Sequence, residues 1–381
     1  MSAHSRDRFA EIVRREPVDL AAACHLLAAE ADASADRQDP GVTLDALNTL
    51  AIRARPLLAS RASAPHRYPR VEHSTGPGAV PGAGPTPGTG ARPGPGGIPG
   101  SGALPGGGVL PGGGGVPGAG GVAGAGGVAG SGGVPGAGAV SGSMAGAGVG
   151  PTGREQAGWF GEARGFGALD PRTAAEALHE ALGLDAGFAG SEEDYEDLRS
   201  SLLPDVLRRR RGLPILLSVV WLEVARRLGV SAYPVGLPGH VVVAIGSPTD
   251  FVLVDPFAAG RLLTIHDAAA KVRAAGAAFN RGHLAPMTGQ DVLTRILSNI
   301  RVLAARTDAP RTRLWAVELS LLLPHHPASL RRERGELRVR LGDFLGGAAD
   351  LTAFADTVAA VEPTAAAASR QAAAAARSRL N

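Results

Sequence analysis

The chain has 381 residues, including 55 glycines and 29 prolines, and a formal net charge of only +3. Of its 38 basic side chains just one, Lys271, is lysine; that bias points to a high-GC bacterial genome and away from a nucleic-acid binder. Cys24 is the single cysteine, which excludes an intramolecular disulfide, and the start MSAHSRDRFAEIV lacks the apolar stretch of a signal peptide, so a cytoplasmic address without a membrane anchor is expected.

Residues 5–61 place Phe9, Ile12 and Val13, then Leu20, Leu26 and Leu27, then Leu44, Leu47, Leu50 and Ile52 at helical spacing, which predicts two or three amphipathic helices. Cys24 falls on one of these faces, as a small buried thiol acting as a hydrophobe. Residues 62–156 are a Gly/Pro/Ala segment, with 33 glycines between Gly76 and Gly150 and an aliphatic residue every sixth position from Ile98 to Val140. A period of six also occurs in parallel β-helices. Here one valine per six residues returns too little burial to offset the entropy of so many glycines, so a disordered, elastin-like insertion is expected.

Helical spacing returns over 172–183, and SEEDYEDLRSSLLPDVLRRRRG reads as an acidic approach to a short helix. The basic run Arg208 to Arg211 suits a helix C-terminus better than a nucleic-acid patch. PILLSVVWLEVARRL, with proline at its first turn, predicts a helix over 214–228. AYPVGL, HVVVAIG and FVLVDPF are strand-like runs bounded by Pro, Gly and Asp. From Gln290 the pattern is helical to the end, in antiparallel pairs that are expected to bury Leu314, Trp315, Val317, Leu321 and Leu322 in part between them.

GLPILLSVVWLEVARRLGV, GLPGH and LVDPFAAGRLLT, with DYEDLRSSLLPDVL before them and ILSNIRVLAA after, resemble the transglutaminase-like "core 2" family, the SirB-type proteins. The resemblance implies an α+β, papain-like core of helices on a small antiparallel sheet, followed by a tetratricopeptide-like tail. The expected division is 1–61 as the helical first part of the core, 62–156 as insertion, 157–287 as core and 288–381 as tail. It also implies a Cys-His-Asp site: a cysteine opening the helix, where the dipole lowers its pKa, with His240 as the imidazole and Asp255 as its orienting acid. Counting back from Leu-Gly-Val at the helix end, the cysteine position is Pro214.

Proline carries no nucleophile. Ser218 is one turn along the same face, about 6 Å of rise from that position, and Cys24 belongs to another helix. No metal site is expected, since His325 and His326 are adjacent and point to different faces, and no cofactor is implied. His240 has two readings, a residue that ties its turn to Asp255 or part of a retained binding pocket; Asp255 before proline also suits an Asx-type turn. Tyr195 and Arg199, with Asp194, are expected to line the same cleft. The expected function is a non-catalytic, protein-binding or regulatory module, using the tail or the cleft. The alternative is a hydrolase or acyl transferase that uses Ser218, or water, with His240 and Asp255.

Overall fold

The computed structural model describes residues 3–31, 40–63 and 165–380. Apart from its first two residues, the Gly/Pro/Ala segment lies outside them. Three helices come first: α1 (Ala3–Ile12), α2 (Leu20–Ala31) and α3 (Pro40–Ala62). Next is α4 (Pro171–Leu178), opened by Pro171 after the Asp170 cap and continued by a π-helical turn over His179–Asp185. Two 3₁₀ segments, Glu192–Glu196 and Leu198–Ser201, lead into α5 (Leu203–Arg209).

The basic run has more specific work than complementing a dipole. Arg209 reaches Asp197 at 3.1 Å, while Arg211 reaches Glu193 at 3.2 Å and the buried Asp194 at 3.4 Å. These cations hold the acidic approach against the helix that follows it. Helix α6 (Pro214–Leu228) starts on proline and stops on Gly229, whose φ of +69° no β-carbon opposes.

The sheet is a meander of four antiparallel strands: β1 (Ala232–Leu237), β2 (His240–Ser247), β3 (Asp250–Asp255) and β4 (Arg261–Leu263). Pro238-Gly239 makes the first turn, with Gly239 at φ +71° and Leu237 paired to His240 across it. Helix α7 (Ile265–Ala274) follows, started by a capping box of Thr264 and Asp267.

Alternation along the strands gives the sheet two buried faces. Val241, Val243, Ile245 and Val254 join the main core with α1 to α6, whereas Val242, Ala244, Leu253 and Leu263 pack against Ala268 and Val272 of α7. By the same parity His240 and Asp255 belong to the α7 side.

The tail consists of α8 (Gly289–Arg306), α9 (Pro310–Ser320), α10 (Ser329–Arg340), α11 (Phe344–Val358) and α12 (Pro363–Ser378). It is not a separate body, because Val292, Leu293, Ile296, Leu297 and Ile300 of α8, with Trp315 and Leu319 of α9, are part of the main core. Val317 packs with Leu330 and Leu337, and Leu314 and Leu321 lie partly buried against them. Leu322 is partly buried against the main core. Among the described residues no helix is long and apolar enough to cross a membrane.

Candidate functional site

His240 opens β2 and Asp255 closes β3, fifteen residues on. Their antiparallel pairing brings the two side chains to one end of the sheet, where His240 Nε2–H donates to Asp255 Oδ1 at 2.9 Å. Asp255 is 1% exposed. The same Oδ1 accepts from the Phe257 backbone N–H at 3.1 Å, the Asx turn that its place before Pro256 suggests.

The other oxygen meets the chain's one lysine. Lys271, on α7, brings its ammonium to 2.9 Å from Oδ2; the contact is a charge pair and not an aligned hydrogen bond, since Oδ2 has no hydrogen-bond partner. Burial alone would raise the Asp255 pKa. The hydrogen bond and charge of His240, then the ammonium of Lys271, outweigh it and hold the carboxyl below its usual range.

Arg295 of α8 supports the imidazole from the tail side. Its Nη2 donates to the carbonyls of Leu237 at 2.9 Å and His240 at 3.0 Å, so it clamps both ends of the Pro238-Gly239 turn. Burial pushes its pKa down, and the nearby Tyr195 hydroxyl opposes that shift. In turn, burial raises the Tyr195 pKa, Arg295 lowers it and Asp255 adds to the rise.

Phe257 is the hub of this cluster. Its ring lies edge-on to His240 at 5.8 Å and to Tyr195 at 5.9 Å between centroids. Gly190 lets it approach: a β-carbon there would sit 2.0 Å from the ring and 2.8 Å from Gly212 O. Gly190 thus lies between the Phe257 ring, which meets His240, and the Gly212 carbonyl, two residues before α6.

Pro214 is buried at the first position of α6, and no side chain caps that helix end. Ser218 is 1% exposed, and its Oγ donates to Pro214 O at 2.8 Å. Cys24 is buried in the main core, where burial and then the charge of Glu223 push its thiol pKa far up. Arg199 lies exposed on Asp197, its Nε 3.1 Å from Oδ1, and the buried Asp194 accepts from Ser200 Oγ at 2.9 Å. Of the residues expected in the cleft, the structure thus brings His240, Asp255 and Tyr195 together and turns Arg199 to its own neighbour. Lys271, Phe257 and Arg295 are the additions. Among the described residues no group of three or more His, Cys, Asp or Glu could hold a metal ion.

Residues 161–298 match the family model described as the transglutaminase-like superfamily, and residues 300–381 match one described as tetratricopeptide repeat. The chain thus carries a transglutaminase-like core-2 domain followed by a repeat tail. A UPF0162 protein of Xylella fastidiosa is 35% identical over 175 residues, 44% of this chain and 62% of that protein. A UPF0162 protein of Pseudomonas aeruginosa is 31% identical over 150 residues, 38% of this chain and 54% of that one. The chain therefore spans less than two thirds of the length of these bacterial relatives. F-box only protein 21 of Mus musculus is 35% identical over 88 residues, 21% of this chain and 14% of the mouse protein. No solved structure matches the chain.

Proposed function

We propose that this protein is a non-catalytic member of the transglutaminase-like fold that binds another polypeptide, through the cleft beside His240 or through the repeat tail. The observation that carries this reading is the start of α6, where Pro214 occupies the position at which the family resemblance expects the nucleophile. An imidazole and its acid are retained without a group for them to activate. Ser218 gives the enzyme alternative little support, because its hydroxyl is sealed and spends its proton on the helix. Stacked helix pairs form extended surfaces suited to binding a chain.

The test restores the missing group. Pro214→Cys places a thiol at a helix N-terminus, and an electrophilic probe should then label it in a manner that depends on His240. Labelling of Pro214→Cys that is no faster than that of the unmodified protein, or that persists unchanged in Pro214→Cys/His240→Ala, with the fold intact in both, would show that position 214 is not the vacant nucleophile position.

A further inference from the structure

Counting donors and acceptors around His240 leaves an imbalance. Asp255 is the carboxylate at the centre of the cluster, and both its oxygens are engaged, Oδ1 by His240 and the Phe257 N–H, Oδ2 by the charge of Lys271. Arg295 spends only Nη2, on two backbone carbonyls. Among the described residues its Nε and Nη1 have no hydrogen-bond partner and its guanidinium no ion pair, yet neither nitrogen is sealed from solvent. The Tyr195 hydroxyl also has no hydrogen-bond partner among the described residues, on a residue 38% exposed. A half-buried guanidinium without a counter-ion, with two nitrogens still open to solvent, keeps donors available for an anionic ligand.

We propose that this cleft receives a carboxylate group of a partner polypeptide, with the Arg295 guanidinium as its cation and the Tyr195 hydroxyl as a second donor. The planar fork of arginine matches the two oxygens of a carboxylate. Lys271 makes this possible by neutralising Asp255, which would otherwise repel an incoming anion. With Lys271 on Asp255 and Arg306 on Glu196, Arg295 is the cation of this cleft without an ion pair among the described residues, which suits a monoanion better than a phosphate. A pocket of about 100 Å³ opens beside Tyr195, walled by Ser201, Leu213, Asn299 and Arg306, whose guanidinium is itself paired with Glu196. Asn299 is one turn beyond Arg295 on α8 and so on the same face. The space suits the end of a side chain or of a chain, not a folded surface.

This inference rests on the binding reading of the cleft, and its experiment can fail separately. N-acetyl-Ala-Ala with a free carboxylate, its C-terminal amide, and N-acetyl-Glu-amide are titrated into the full chain. Binding is followed by NMR on the probe and on the ring of Tyr195, one of three tyrosines in the sequence. A saturable response to either acid and none to the amide is expected, and the two acids separate a chain terminus from an acidic side chain as the source. Arg295→Gln should weaken binding by at least about tenfold, as loss of a charge-assisted bond implies. Because Arg295 also clamps a turn, Tyr195→Phe serves as the second variant; it keeps the ring and should weaken binding severalfold at unchanged Tm. Equal responses to acid and amide, or unchanged binding in Tyr195→Phe and in a folded Arg295→Gln, would overturn the proposal. Turnover of a substrate by the unmodified protein would instead sink the non-catalytic reading, whatever the probes do.

Discussion

Asp255 accepts from an imidazole and a backbone N–H and pairs in charge with an ammonium while 1% exposed, and this sharing decides how its neighbours respond to substitution. His240→Ala leaves Oδ1 with the Phe257 N–H alone, and the expected cost is about 1–3 kcal/mol, read from urea unfolding at neutral pH. Its folded pKa is depressed, so the native state binds this proton more weakly than the unfolded chain. The stability it contributes is therefore complete above the unfolded carboxylate range of roughly pH 4 and is lost as pH falls through the lower folded value. Lys271→Met should reduce stability at pH 7 and converge with the unmodified protein towards pH 2; a difference independent of pH would mean that Lys271 acts through packing.

At the scale of elements, α8 has two duties, since it fills the main core and also clamps the His240 turn. Ending the chain at residue 287 should therefore give an aggregating product and not a folded core; a cooperative thermal transition from that truncation would contradict this. Gly190→Ala should cost about 1–3 kcal/mol by overpacking, because the added carbon has to displace Phe257. Helix α6 was legible from both ends, with proline at its start and glycine beyond its close, and β1 to β3 from their β-branched runs. The three-residue β4 is too short to show a period, and α7, IHDAAAKVRA, buries only Ala268, Ala269 and Val272. Lys271 was consequently visible as a singular residue but not as part of a site. Arg295 carried no signal at all in a chain whose other basic residues are all arginine. Phe257 lay in a motif that could be read, but only the fold shows which rings it meets.

Across the whole molecule, ion pairs run from the first helix into the tail. Arg6 of α1 reaches Glu318 of α9 at 2.9 Å, Arg338 of α10 reaches Glu318 and the buried Asp350 of α11 each at 3.0 Å, and Arg334 closes on Asp350 at 2.7 Å. Glu318→Gln should lower stability by about 1–3 kcal/mol, less in high salt, because two cations then lose their shared acid. The six-residue repeat between residues 98 and 140 returns little burial on composition alone, so a chain joining residue 70 to residue 156 should melt within a few degrees of the full protein. Loss of cooperative melting in that deletion would mean that the repeat is structural. The central claim, a transglutaminase-like site without its nucleophile, is tested most directly by assaying the purified full chain against a panel of acyl and amide substrates. No turnover is predicted, and alkylation should change nothing because Cys24 is buried. Robust turnover abolished by both His240→Ala and Ser218→Ala, with the fold intact, would contradict the account and establish a serine enzyme.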